Sequence, residues 1–160
     1  MEEAVRRAIA VSLAEVFETM FFTLLEPLSA IPPREEWGDE QDFVGASLSF
    51  DGPVSGRLHF YLPRPLARSI TGNFLGDADV EVSEAQIFDT VREAVNMAVG
   101  SMLGRIDPEG HCMLGIPEAY AASDFSPEAV VADLGLSVFK TGFGHLWVTC
   151  IVKSTESRTA

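Results

Sequence analysis

The chain has 160 residues, of which 47% are hydrophobic and 22% are charged, a composition typical of one globular domain and not of a disordered chain. Its formal net charge of −13 disfavours binding to phosphate backbones and to anionic lipid, so neither nucleic acid nor a membrane is an expected partner. We predict a single domain over residues 1–160 that meets other proteins.

Three features of the sequence favour the cytoplasm. Cys112 and Cys150 are the only cysteines, too few for a disulfide framework. The chain starts with acids where a secretory signal would have a basic lead, and its most apolar run, residues 20–25, is far shorter than the ~20 residues that span a bilayer. We expect a cytoplasmic protein with reduced thiols.

A long helix is predicted at the start of the chain. Apolar residues recur at helical spacing over residues 4–25. Glu26-Pro27 is expected to end this helix, because the residue before a proline avoids the helical region. The acid-rich segment that follows, residues 32–42, is interpreted as a solvated loop.

A β-hairpin and a short helix come next. Residues 43–50 and 56–62 carry the strand pattern, and the turn signal at residues 51–53 joins them. Pro63 and Pro65 then open a short helix, since proline is well suited to the first helical turn.

The clearest element is a second long helix, predicted over residues 84–103 or slightly beyond. Ser83 is a candidate N-cap, and Gln86 stands three residues later, as a capping box requires. Val82 and Ile87 occupy the positions of a hydrophobic staple.

The C-terminal part predicts two more strands, at residues 134–139 and 145–152, with a turn between them. Residues 112–121 fit either a strand or an extended loop. Residues 126–128 resemble a helix start, but the β-branched pair at residues 130–131 argues against much helix.

This order of elements favours an α+β fold. Helices and strands do not strictly alternate, and a helix followed by a hairpin occurs twice, which indicates a weak internal duplication. We predict a single mixed or antiparallel sheet with the two long helices packed on it.

Several familiar sites are not supported by the sequence. Neither His111-Cys112 nor Cys150 has a partner at metal-ligand spacing, so no zinc site or other metal site is predicted. Residues 142–144 read Gly-Phe-Gly but lack the third glycine and the helix of a dinucleotide loop, which favours a turn. No nucleophile motif is found, and the two tryptophans are interpreted as packing residues.

A row of unusual residues, called here the polar row, lies on one side of the second long helix: Asp89, Glu93, Asn96 and Gly100. At about 100° per residue they fall within about 60° of one another, opposite the predicted core stripe of Ile87, Val91, Ala94, Ala98 and Met102. Asn is a mediocre helix former and Gly costs about 1 kcal/mol relative to Ala, so this face is costly unless it makes contacts. A partner-contacting surface explains it; the alternative is a merely solvated face with Gly100 packed against a loop. Spacing alone leaves both open.

Residues 89–96, Asp-Thr-Val-Arg-Glu-Ala-Val-Asn, match the pattern Asp/Ser-x-x-x-Glu-x-x-Asn, and Gly100 follows four residues after Asn96. In this the chain resembles the CheC, CheX and FliY response-regulator phosphatases of bacterial chemotaxis. The strand at residues 56–60 running into a proline-opened helix, and the Phe-Glu-Thr-Met stretch at residues 17–20, resemble that family too. The resemblance covers nearly the whole chain and is weakest beyond Cys112.

The resemblance implies hydrolysis of the phospho-aspartate on a CheY-like response regulator. Asn96 would orient the attacking water, and Glu93 would pair with the regulator's invariant lysine. Asp89 would have a supporting role, and Arg92 and Gly100 join it as expected partner-binding residues. Magnesium would belong to the regulator, so no cofactor is expected on this chain.

These residue types suit that chemistry. An acyl phosphate is already activated, so its hydrolysis needs a positioned water and little covalent work from the catalyst. A neutral amide can donate to phosphoryl oxygens and accept from water without adding negative charge, whereas a carboxylate in that place would repel the phosphate.

The first helix carries only part of this motif. Sliding the second long helix back by 78 positions sets Glu15 against Glu93 and Glu18 against Asn96. With one motif per chain, the protein is similar to CheX, whose members form homodimers, and we expect a homodimer here.

Two rival functions remain open. The same fold could recognise a receiver domain or a motor component without hydrolysing anything, or it could bind a small molecule between sheet and helices. Hydrolysis of a phosphorylated receiver by the wild type and by Asn96→Ala discriminates between them.

Overall fold

A computed structural model describes residues 2–40, 42–77 and 81–154; residues 1, 41, 78–80 and 155–160 of the predicted domain lie outside the described residues. Single turns of 3-10 helix occur at Arg34–Glu36 and Pro127–Ala129. The helices and strands, in chain order, are α1 Glu2–Phe21, β1 Glu26–Pro27, β2 Phe43–Asp51, β3 Val54–Pro63, α2 Arg64–Phe74, α3 Glu84–Ile106, β4 Met113–Leu114, β5 Glu118–Ala121, β6 Leu136–Thr141 and β7 Gly144–Ser154.

The seven strands form one antiparallel sheet. Its order is β1-β6-β7-β3-β2-β4, and β5 also pairs with β2. The β2–β3 hairpin and the β6–β7 hairpin meet at the sheet centre, where β3 pairs with β7 and Phe60 lies opposite Val148. This confirms the predicted α+β class, with each hairpin following a helix, and it makes the sheet antiparallel throughout the described residues.

One face of the sheet carries the main core. The long helices α1 and α3 pack on it, and residues such as Phe17, Leu13, Phe60 and Leu48 are almost completely buried between the layers. The alternation predicted for β2 turns Val44, Ala46, Leu48 and Phe50 toward the helices.

The opposite face is covered at one end by a second apolar cluster. Trp147, Val138 and Phe43 are buried there. The Trp37 ring meets Trp147 edge-on at 5.7 Å, which confirms that both tryptophans are packing residues.

The predicted end of α1 is wrong by four residues. The helix ends at Phe21, because Phe22 adopts a left-handed conformation with φ of +51° and turns the chain toward the sheet. Glu26 and Pro27 then pair with β6 at the sheet edge, which a continuing helix could not do. Similarly, β6 begins at Leu136 and not at residue 134, because the Asp133 carboxylate accepts from the Gly135 N–H and holds a turn there.

The ambiguous segment after α3 forms two short strands on the edge of the sheet. Both β4 and β5 pair with β2, so this region is extended. The helix-like signal at residues 126–128 produces only the 3-10 turn Pro127–Ala129.

Candidate functional site

The start of α3 is fixed by the predicted capping box. The Ser83 hydroxyl oxygen accepts from the Gln86 N–H at 3.1 Å, and the Gln86 side-chain oxygen accepts from the Ser83 N–H at 2.9 Å. Val82 packs on the core cluster that contains Ile87. These contacts satisfy backbone donors that a helix start otherwise leaves unpaired.

A buried arginine also ties this helix to its neighbours, and the sequence analysis missed it. Arg64, at the start of α2, contacts the Glu84 carboxylate at 2.7 Å and the Asp42 carboxylate at 2.8 Å. These two anions raise the pKa of Arg64 against the opposing effect of its own burial. The sequence signal was present as a single cation beside helix-opening prolines, but nothing in the sequence indicated its two partners.

The buried side of α3 is the one predicted. All five residues of the core stripe are at most 2% exposed: Ile87, Val91, Ala94, Ala98 and Met102. Because these residues face the sheet and α1, the helix cannot rotate without exposing them, and its opposite side faces solvent.

The polar row lies on that solvent side. Asp89 and Glu93 are exposed, and Asn96 and Gly100 are half-buried. Among the described residues, neither the Glu93 carboxylate nor the Asn96 amide has a hydrogen bond or an ion pair. One helical turn separates them, so both polar groups are available to the same partner.

Asp89 and Arg92 form an ion pair along the helix. The Arg92 Nη1 atom lies 2.5 Å from Asp89 Oδ1, and both side chains are exposed to solvent. Each charge is therefore offset by the other, which leaves Glu93 as the acid of the row without an opposite charge beside it.

Gly100 has open space above it. A Cβ atom built at this position meets no atom within 4 Å apart from its own helix, so Gly100 does not pack against a loop. Gly104 has equally open surroundings.

The matching positions of α1 are arranged differently. Arg105, in the last turn of α3, contacts the Glu15 carboxylate at 2.5 Å and donates from Nε to the Ser12 hydroxyl at 3.2 Å. Glu18 stands where α3 has Asn96, and it is exposed. On α1, therefore, the carboxylate that matches Glu93 is already paired, and no amide stands at the position that matches Asn96.

Two kinds of feature are absent from the residues that the structure describes. No helix among them is long and apolar enough to cross a membrane. They also contain no group of three or more His, Cys, Asp and Glu residues placed to hold a metal ion.

Comparison with solved structures shows the same fold. CheX from Desulfovibrio desulfuricans superposes with a TM-score of 0.70 at 16% identity, over 93% of this chain and 99% of that one. CheX from Vibrio vulnificus superposes with a TM-score of 0.71 at 19% identity, over 91% of this chain and 97% of that one. CheX in the CheX–CheY–BeF3–Mg²⁺ complex of Borrelia burgdorferi superposes with a TM-score of 0.67 at 11% identity, over 92% of this chain and 97% of that one.

The sequence comparisons establish the family. No curated protein sequence matches the chain significantly. The family described as "Chemotaxis phosphatase CheX" matches residues 44–138, more than half of the chain, including all of α3 and its polar row. The chain belongs to the CheX chemotaxis phosphatase family.

Proposed function

We propose that the chain stimulates hydrolysis of the phospho-aspartate on a CheY-like response regulator in the cytoplasm, with residues 1–160 acting as one domain. Family membership supports the reaction class. The observation that supports the assignment to residues is the pair Glu93 and Asn96. They lie one turn apart on a capped helix whose opposite side is buried, and neither side chain has a partner among the described residues.

Asn96 is the catalytic residue of the proposal. Its amide N–H donates to a phosphoryl oxygen, and its amide oxygen accepts from the attacking water. The water oxygen attacks phosphorus while the bond between phosphorus and the aspartyl oxygen breaks, which yields the free carboxylate and inorganic phosphate. Magnesium belongs to the regulator in this scheme, and Asn96 contributes the position of the water.

Glu93 docks the regulator. Its carboxylate faces solvent and has no cation beside it, because Arg92 is held by Asp89. An exposed carboxylate of this kind pairs readily with a partner's lysine. Asp89 has a supporting role: it neutralises Arg92 and so keeps that cation from competing for Glu93.

Gly100 lets the partner approach the helix backbone. Because a Cβ there would meet nothing, the glycine has no packing role in the free protein. An absent side chain one turn beyond Asn96 instead gives room for the regulator to approach this face of α3.

We also propose that the chain forms a homodimer through the β4–β5 edge. These strands pair with β2 on one side only, and Met113 and Ile116 beside that edge are highly exposed. A second copy would supply the missing hydrogen-bond partners. Analytical ultracentrifugation of wild type and Ile116→Lys tests this proposal. We expect wild type to sediment as a dimer and Ile116→Lys as a monomer. A monomeric wild type contradicts the proposal.

The decisive experiment measures phosphate release from a phosphorylated CheY-like receiver with wild type, Asn96→Ala and Ser101→Ala. Ser101 is a half-exposed residue of the same helix away from the polar row, so it is the matched control. We expect Asn96→Ala to lose about tenfold or more of the stimulation and Ser101→Ala to keep it. Unchanged stimulation by Asn96→Ala contradicts the proposal. Receiver binding by a wild type that stimulates no receiver would favour the non-catalytic binding module.

A further inference from the structure

An exposed apolar cluster lies where the C-terminal ends of α1 and α2 meet. Asn73 donates from its side-chain amide to the Phe21 carbonyl at 2.8 Å, and the Phe21 and Phe74 rings are 5.3 Å apart. Around this contact five large apolar side chains face solvent, called here the C-terminal patch: Met20, Phe22, Leu24, Phe74 and Leu75.

Phe22 is unfavourable for the free protein in two independent ways. It is the one non-glycine residue with positive φ among the described residues, at the position after the helix end where glycine or asparagine is usual. Its side chain is also 75% exposed, so it gains little from burial. Glycine would relieve the backbone and remove the exposed ring, so the stability of the free chain does not explain this phenylalanine.

The surroundings of the patch are negative. Neither α1 nor α2 has a basic residue in its last turn, and both helices direct the negative ends of their dipoles toward it. The exposed acid Glu18 lies on its α1 side, whereas Glu26 lies opposite Lys140 in the sheet and is not part of the patch. An apolar surface with an acidic rim is complementary to apolar side chains flanked by lysine or arginine.

We infer that the C-terminal patch is a docking surface for a basic amphipathic segment of a protein partner, separate from the polar row. Apolar side chains of that segment would cover Phe22, Leu24 and Phe74, and its lysines or arginines would face Glu18 and the two helix ends. Burial of Phe22 in the complex would then offset what its conformation and exposure cost the free chain. This inference does not depend on the proposed phosphatase activity.

The test uses a labelled amphipathic peptide of about 14 residues with leucines on one helical face and lysines elsewhere, followed by fluorescence anisotropy. A scrambled peptide of the same composition controls for simple charge attraction. We expect the amphipathic peptide to bind wild type about tenfold or more tightly than the scrambled one. No binding by wild type, or equal binding of both peptides, overturns the inference.

Phe22→Gly and Glu18→Lys separate the apolar and electrostatic contributions. Phe22→Gly should weaken peptide binding about tenfold or more while its melting temperature stays equal or rises. Glu18→Lys should weaken binding mainly at low salt. Leu134→Ser removes an exposed leucine outside the patch and should change neither the peptide affinity nor the melting temperature. Unchanged binding by Phe22→Gly overturns the inference, and loss of phosphatase stimulation in Phe22→Gly would assign the patch to the receiver and overturn its separateness.

Discussion

The two long helices occupy comparable places, each preceding a hairpin, yet they present different chemistry to solvent. On α3, Glu93 and Asn96 have no partner among the described residues. On α1, the corresponding Glu15 is paired with Arg105, and Glu18 replaces the amide. In the proposed function, the docking carboxylate has to be unpaired and has to have an amide one turn further along the helix.

The two glutamates also differ in their contacts within the chain. Glu15 joins α1 to the end of α3 through Arg105, which makes it a residue of the folded chain. Glu93 makes no such contact among the described residues, and we propose that it binds the partner.

The largest effect is expected from exchanging the two glutamates for alanine separately. Glu93→Ala should weaken binding of a phosphorylated or beryllofluoride-activated receiver about tenfold or more, with almost no change in stability. Glu15→Ala should leave receiver binding within about twofold and lower the free energy of unfolding by at most about 1 kcal/mol, since its ion pair is exposed. Isothermal titration and chemical denaturation measure the two quantities. The opposite pattern would make Glu93 structural and would end its docking role.

A smaller effect is expected at Gly100. Because a Cβ there meets nothing, Gly100→Ala should stabilise the free protein by about 0.5–1 kcal/mol through helix propensity. The same methyl group should weaken receiver binding severalfold if the partner approaches the helix backbone. Gly104→Ala is the matched control, with the same stability gain and unchanged binding. Equal binding by all three proteins would remove Gly100 from the docking surface.

The capping box of α3 should affect stability and not chemistry. Ser83→Ala removes the side-chain acceptor for the Gln86 N–H and should cost about 1 kcal/mol of unfolding free energy. The stimulated rate per folded molecule should stay as in the wild type, because the polar row lies about two to five turns further along the helix. A lower stimulated rate per folded molecule in Ser83→Ala would show that the cap also controls the position of the polar row.

The smallest effect concerns pH and a residue outside both helices. Burial, reinforced by the Arg57 charge, lowers the pKa of His59 below 6.5. The unfolded chain then binds the proton more readily, so this contribution to stability is complete above pH 6.5 and is lost as the pH falls toward the lowered pKa. Melting curves at pH 7.5 and 5.0 should show a smaller fall for His59→Gln than for wild type. An equal fall would mean that other groups cause the acid sensitivity.

The sequence predicted what depends on local patterns. The capping box at Ser83, the buried stripe of α3 and the β2–β3 hairpin follow from residue types at fixed spacing, and the structure has them. The end of α1 did not follow, because a left-handed Phe22 goes against the usual preference for glycine or asparagine. Residues distant in sequence were also missed, such as Arg64 with its two acids and Arg105 with Glu15, since spacing along one element carries no information about a partner on another.

The proposed role of Asn96 is tested most directly by the rate and the affinity of Asn96→Ala. We expect the rate of phosphate release at saturating receiver to fall about tenfold or more, while the dissociation constant for the beryllofluoride-activated receiver stays within about twofold of wild type. A saturating rate equal to that of wild type would contradict the claim that Asn96 positions the attacking water.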